Sequence, residues 1–412
     1  MQTFQIKWKA WYGDESFDLA FPDNWYIIPL PMKHAPDIGE GGIINALNNA
    51  IGSSQIQELA RKSHSCAITF DDLARPTKVY RILRPLLKML LDGGIVEDRI
   101  TLIPALGAHR PMVRQDLIKK CGQDVVDRFR ILNHQPFDNL IDMGQSSRGT
   151  PIRINKDFWD ADLKVGIGGI APHPYAGFGG GGKIVLPGLS GIETLEANHR
   201  SAAQGLKCKM ADVDGNPCRE DIDEIAKKVG LRLLINVVSG PSREVSGVFV
   251  GDPILAHREG IRFALEVYGT RVPSDLDIAI LNAYPKDLDI TQTPTALNIG
   301  LSSERRLVRK GGTLVIVAGC PEGAGYHSLE GYQMRLYSKF DSGDVFRNVV
   351  EDSHVFFFSP NVNKYDVSQY YSDRIIFYKE WDDVITKLNE IYQGRVRVGV
   401  VPFGSLQIAR EL

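Results

Sequence analysis

Apolar residues along this chain fall into two alternating rhythms, short continuous runs and longer helical stripes. The segment SCAITF (65–70) is a short apolar run, and KVYRILRPLLKMLLDGG (78–94) follows it with helical spacing. Val79, Ile82, Leu83, Leu86, Leu87 and Leu90 share one side of that helix, which stops at Gly93 and Gly94. RITLIPALG (99–107) reads as the next strand. Strand, helix and strand in that order predict a βαβ unit, hence a parallel sheet. LKVGIGGI (163–170) is a further strand, LRLLINVVSG (231–240) and VSGVFVGD (245–252) read as a hairpin, and PILAHREGIRFALEVYG (253–269) as a helix. The opening MQTFQIKWKAWYGDESFDLAF alternates in strand fashion.

The segment TRVPSDLD (270–277) carries a proline and few apolar residues, and a domain boundary is expected there. Beyond it the pattern restarts with a strand at 276–284, a helix around ALNIGLSSERRLVRKGG, and a strand at 313–320. Strands at 354–360 and 374–378 and a helix at 382–392 complete the series. The expected fold class is therefore α/β, with two domains of βαβ units and largely parallel sheets. Residues 1–272 form the larger N-terminal domain and 273–393 the smaller one. The last strand (395–404), within 394–412, is expected to return to the first domain. A binding site in the cleft between two domains is the default expectation.

Composition narrows the class without naming a function. A chain of 412 residues exceeds one ordinary core, which agrees with two domains. A formal net charge of −2 with no basic block speaks against nucleic acid or an anionic membrane as partner. No apolar run reaches membrane-spanning length and the start has no signal-peptide pattern, so a cytoplasmic protein is expected. The five cysteines are widely scattered and lack a C-x-x-C pair, and are expected to be buried thiols.

Two loops follow predicted strands, DDLARPT (71–77) and AHRP (108–111). In open α/β sheets such loops carry the ligand site, so Asp72, Arg75, His109 and Arg110 are predicted to face one crevice. HPYAGFGGGGKIVLPG (173–188) resembles a phosphate-binding loop only superficially. Ile184 stands where a magnesium-holding hydroxyl is required, and Pro187 and Gly188 cut short the helix that would face a phosphate. The glycines either let the backbone approach a bulky group or form a tight turn between buried strands. His173 precedes Lys183 by ten residues, and a helix over 190–198 is closed by His199. His34, His64, His134, His257, His327 and His354 are read as core or surface residues. Histidines leave a zinc site open, yet no H-E-x-x-H pattern supports one.

DDLARPTKVY, LGAHRPM, HPYAGFGGGGKIVLPG, EANHR, GVFVGD and RKGGTLVIVAGCPEG together resemble the lactate racemase family in order and spacing. The resemblance covers nearly the whole chain and implies an isomerase using a nickel-pincer nucleotide (pyridinium-3-thioamide-5-thiocarboxylic acid mononucleotide with nickel). By that resemblance Lys183 holds the cofactor covalently, His199 ligates nickel, and His109 and His173 are the catalytic histidines on opposite faces of the substrate. Arg75 binds the substrate carboxylate, Gln292 contacts substrate, and Asp72 contacts the cofactor. Amides of Gly179, Gly180, Gly181 and Gly182 are expected near its phosphate. Enzymes that build the cofactor are implied partners.

The physical logic agrees. A carboxylate stabilises an α-carbanion poorly, so removing hydride from a 2-hydroxy acid, as its hydroxyl proton leaves, is the easier route. Two opposed bases with ordinary values near neutrality suit that proton transfer. Thr295 replaces a family lysine that grips the carboxylate, and Thr291 replaces a tyrosine. The expected substrate is therefore a larger or polyhydroxylated 2-hydroxy acid, with a sugar acid 2-epimerase as the leading reading. Lactate racemase proper is the alternative within the family. A zinc-using or metal-independent dehydrogenase-like enzyme is a second reading within the same fold, and a non-catalytic nickel-nucleotide or sugar-acid binding protein is the reading of a different class.

Overall fold

The computed structural model describes residues 1–203, 208–341 and 344–410. The chain divides into two compact units, one of residues 34–265 and one of residues 1–33 with 266–412. Each is built on its own six-stranded sheet.

In the 34–265 unit the strand order is Val245–Gly251, Leu233–Ser239, Leu163–Gly169, Cys66–Asp71, Ile100–Ala105 and Arg130–Ile131. Every neighbouring pair is parallel except the first, the hairpin expected from its sequence. Cys66–Asp71 and Leu233–Ser239 are buried along their whole length, as strands covered on both faces must be. Helix Val79–Asp92 buries Val79, Ile82, Leu83, Leu86, Leu87 and Leu90, the stripe read from the sequence. Helix Pro217–Val229 covers the opposite face, where Ile222, Ile225, Ala226 and Val229 meet Ile103, Ile184 and Leu234.

The other unit has a wholly parallel sheet in the order Ile375–Tyr378, His354–Phe358, Val308–Val317, Leu276–Asn282, Arg397–Val401 and Tyr26–Pro29. This corrects the expected domain boundaries. The last strand pairs with Leu276–Asn282, and the N-terminal residues belong with it too. Tyr26–Pro29 hydrogen-bonds at the sheet edge, and the hairpin Gln2–Trp8 with Glu15–Phe21 buries Ile6, Trp8, Leu19 and Phe21 against Ile278, Ile280 and Val315. Buried Asp287 fixes the hairpin turn by accepting from the amides of Lys9 (2.6 Å) and Ala10 (3.1 Å). The helix expected around 296–312 is also shorter. A 3-10 segment Ile290–Leu297 leads into helix Asn298–Leu301, and VRKGG is already strand.

Cys208 and Cys218 are paired as a disulfide, whereas all five cysteines were expected as thiols; Cys66, Cys121 and Cys320 are free and buried. The spacing of ten residues carries no signal by itself. Helix Pro217–Val229 brings Cys218 back beside its partner. Among the described residues no helix is long and apolar enough to cross a membrane.

His134 is a core histidine, with Nε2 at 3.0 Å from the Ser190 carbonyl and Nδ1 at 3.4 Å from the Asn155 amide. Burial lowers its imidazole from 6.5 to about 4. The unfolded chain therefore binds the extra proton first, and this part of the stability is full above about pH 6.5 and lost as pH falls through 4. The difference is worth about 3 kcal/mol. Urea unfolding at pH 7.5 and 4.5 should show His134→Gln losing less stability on acidification than the parent chain by an amount of that order.

Candidate active site

Three adjacent parallel strands of the 34–265 unit end on the same edge of the sheet. Asp72 follows Cys66–Asp71, His109 follows Ile100–Ala105, and His173 follows Leu163–Gly169. At the carboxyl ends of these strands Asp72 meets His109, and Arg75 follows on the same loop as Asp72. Arg110 turns instead to Asp116, at 2.7 Å.

His109 Nδ1 lies 2.5 Å from Asp72 Oδ2. The carboxylate accepts from Nδ1–H, which leaves Nε2 as the basic nitrogen and fixes the ring's orientation. Burial pushes the Asp72 carboxyl up, but the charges of His109, Arg75 and Lys120 outweigh it and hold the group at about 2. Asp72 is thus an anion throughout the neutral range. Its Oδ1 accepts from the Ala74 amide at 3.1 Å, which shapes the turn carrying Arg75.

Beneath this pair is a residue that the sequence reading missed. Lys120 has no solvent exposure, and its ammonium reaches Asp71 Oδ1 (2.7 Å), the Asp72 carbonyl (2.6 Å) and the Arg75 carbonyl (3.0 Å). Asp71 Oδ2 in turn accepts from Thr77 Oγ1 (2.7 Å) and the Gly169 amide (2.8 Å), tying the neighbouring strand to the same loop. Lys120 lies on helix Arg114–Cys121 in an ordinary polar stretch, so only the fold reveals its place.

The second group surrounds Lys183, on the short 3-10 turn Gly181–Ile184. His173 Nε2 is 3.2 Å from Lys183 Nζ. His173 Nδ1 accepts from the amides of Tyr175 and Ala176, each at 3.2 Å. The Tyr175 ring stands between two histidines, 6.0 Å from His173 and 6.3 Å from His199. His199 lies inside helix Ile192–Ala203 rather than closing it, and its Nδ1 donates to the Leu195 carbonyl at 2.9 Å. That bond puts the lone pair of the neutral ring on Nε2. The preceding Asn198 is tethered to Asp221 at 3.0 Å, which fixes this turn of the helix.

The glycines are explained by protein packing on the far side of the loop. A Cβ on Gly181 would stand 2.8 Å from His257 Nδ1 and 2.9 Å from Arg219 Nη1, and one on Gly182 would stand 2.9 Å from the Ile222 carbonyl. At Gly180 it would meet Asn236 Oδ1 at 2.9 Å, and at Gly179 the Gly169 carbonyl at 3.3 Å. Two of the amides expected near a phosphate have acceptors within the protein. Gly179 N–H donates to the Ala171 carbonyl (2.6 Å) and Gly181 N–H to Asn236 Oδ1 (3.0 Å). Fully buried Arg219 binds the carbonyls of Ala176, Phe178 and Gly180, and His257 Nε2 that of Gly179 at 2.8 Å.

The lactate racemase N-terminal domain profile matches residues 12–210. The lactate racemase of Lactiplantibacillus plantarum is 34% identical over 294 residues, 69% of this chain and 68% of that protein. The lactate racemase of Thermoanaerobacterium thermosaccharolyticum is 30% identical over 347 residues, 82% of this chain and 80% of that one. The chain belongs to the lactate racemase family. It is accordingly an isomerase of the racemase type. The fold agrees: the apoprotein structure of the Thermoanaerobacterium lactate racemase superposes with a TM-score of 0.79 at 24% identity, covering 99% of this chain and 100% of that one. A protein from Thermotoga maritima shares the fold at a TM-score of 0.70 and 18% identity, covering 92% and 100%.

In the 1–33 and 266–412 unit, Gln292 and Thr295 sit on the segment Ile290–Leu297. Thr295 Oγ1 donates to the Gln292 carbonyl (2.7 Å), Thr291 Oγ1 to Asp289 Oδ1 (2.5 Å), and Gln292 Nε2 to Thr291 Oγ1 (3.1 Å).

Lys120→Met should cost about 3–5 kcal/mol, since it strands the buried Asp71 carboxylate without its counter-charge. Chemical unfolding measures this, and a loss under about 1 kcal/mol would contradict the assigned network.

Proposed function

We propose that this protein is a nickel-pincer nucleotide-dependent 2-hydroxy acid epimerase or racemase, with a polyhydroxylated acid preferred to lactate. The observation that carries the reading is the series of contacts from Lys183 to His173, Tyr175 and His199, with His173 following a strand of the same sheet whose neighbouring strands lead to Asp72 and His109.

The residues fit such a group. Lys183 brings an amine able to form an amide-type link, and His199 has Nδ1 committed to Leu195, so Nε2 serves a metal. Among the described residues no cluster of three or more His, Cys, Asp or Glu is arranged to hold a metal ion. A nickel bound through His199 would take its other donors from the nucleotide. When bound, the nucleotide supplies an electrophilic hydride acceptor. The protein's own part is positioning and proton transfer. Arg75 holds the substrate carboxylate through a planar guanidinium. His109, oriented by Asp72, takes the hydroxyl proton at Nε2. His173 serves the opposite face. Enzymes that build the nucleotide must act first.

For the substrate, the Thr291 and Thr295 hydroxyls donate to Asp289 and Gln292, so their oxygens offer lone pairs to substrate hydroxyls. An uncharged pair suits a polyol better than a second carboxylate grip. A charge-assisted hydrogen bond contributes about 1.5–3 kcal/mol.

Protein co-expressed with the cofactor-building enzymes should show adduct mass on Lys183 and one nickel per chain, and Lys183→Ala should abolish activity. The loaded enzyme should epimerise a sugar acid at C2 faster than it racemises lactate, and Thr295→Lys should raise kcat/KM for lactate by about tenfold or more. Faster turnover of lactate than of any sugar acid overturns the substrate assignment. Activity in Lys183→Ala overturns the cofactor.

A further inference from the structure

We propose that His173 has an earlier task than catalysis: before any cofactor is attached, its Nε2–H donates to Lys183 Nζ and keeps that amine unprotonated and nucleophilic. The proposal rests on the reading of Lys183 as the attachment point. It concerns the chain in its unloaded form.

The argument turns on one tautomer. The backbone amides of Tyr175 and Ala176 both point at His173 Nδ1, each at 3.2 Å. A backbone N–H is a permanent donor, so Nδ1 must present its lone pair, and the single proton of a neutral imidazole lies on Nε2. That nitrogen is 3.2 Å from Lys183 Nζ. An ammonium has three donors and no lone pair. Set against Nε2–H it would give donor against donor, and an imidazolium would add charge repulsion. A neutral amine accepts the Nε2–H proton instead and makes the contact a hydrogen bond.

The backbone around Lys183 holds this geometry. Its amide donates to the Gly180 carbonyl (3.3 Å), its carbonyl accepts from Gly188 (3.2 Å), and the amides of Val185 and Leu186 close on Gly182. Charged groups on the elements packed against this turn have bonds of their own. Arg219 pairs with Asp223 at 3.6 Å, and Asp221 accepts from Ser146, Thr150 and Asn198. Lys164 donates to the Ala161 carbonyl, and Asp71 holds Lys120.

The chemical consequence is acylation. The Nζ lone pair attacks the carbon of an activated carboxyl or thiocarboxyl donor, forming the C–N bond. The bond from that carbon to its leaving group breaks, and the electron pair departs with the leaving group. One N–H proton passes to the leaving group or to water. An amide or thioamide nitrogen has no basic lone pair, so acylation ends the contact and releases His173 Nε2 towards the substrate. One histidine thus serves attachment first and turnover afterwards.

The test uses the full chain expressed without cofactor-building enzymes. N-hydroxysuccinimidyl acetate labels it across a pH series, and peptide mass spectrometry follows Lys183 beside surface Lys310, whose side chain is 81% exposed. The midpoint of the rate profile reports amine protonation whatever the accessibility. The Lys183 midpoint should lie at least about one pH unit below that of Lys310, about tenfold more free amine at pH 8. His173→Phe should bring it back to the Lys310 value. Equal midpoints in the parent chain, or a lowered midpoint untouched by His173→Phe, overturn the proposal. Should the variant misfold, the histidine ¹⁵N shifts of the parent chain decide: Nε2–H supports the proposal and Nδ1–H overturns it. A lowered midpoint in a chain that never takes up the nucleotide would leave this proposal standing and remove the functional reading. An ordinary midpoint with nucleotide found on Lys183 would do the reverse.

Discussion

The site depends on a lysine that water never reaches. Taking an ammonium out of water costs several kcal/mol unless oxygen atoms replace its hydration shell. Lys120 has one carboxylate and two carbonyl oxygens within 3.0 Å. Those oxygens belong to Asp71, Asp72 and Arg75, so satisfying one buried charge fixes the end of a central strand and the loop after it. Asp72 then stands where its carboxylate can orient His109. A shift in this loop would misplace the His109 proton acceptor and the Arg75 guanidinium together.

The two catalytic candidates end up in complementary forms for distinct reasons. A side-chain anion claims the Nδ1 proton of His109 and exposes a basic Nε2. Two backbone amides claim the Nδ1 lone pair of His173 and place its proton on Nε2. Neighbours in the fold choose each tautomer, and the residue type alone would have left it open. The glycine loop carrying Lys183 is shaped from behind in the same way, by the Arg219 guanidinium and the His257 ring, both removed from solvent. Burial lowers the imidazole of His257 well below its ordinary range, so it stays neutral beside that guanidinium.

The sequence carried the elements well wherever burial has a period. The stripe of Val79 to Leu90 and the runs at 65–70, 99–107 and 163–170 mark the strands and helix that bring Asp72, His109 and His173 to one edge. It carried the long-range pairings poorly. Nothing local in Tyr26–Pro29 says that it joins Arg397–Val401, since parallel pairing has no turn to announce it. Buried polar partners were equally hidden: Lys120, Arg219 and Asp287 look like surface residues until their carbonyl or amide partners are seen. The glycine run was visible, but the protein groups packed against it were not. Cβ directions pointing into His257, Arg219 and Ile222 explain glycine there before any ligand is considered.

The central claim is that hydrogen leaves and returns to C2 as hydride, with the two histidines handling only the hydroxyl proton. Interconversion of the C2 stereoisomers of a 2-hydroxy acid in deuterium oxide tests it most directly, with nuclear magnetic resonance reading the C2 position at equilibrium. The account predicts that both stereoisomers keep protium at C2. Deuterium at C2 in step with inversion would show exchange of a carbon-bound proton with solvent and would contradict the account.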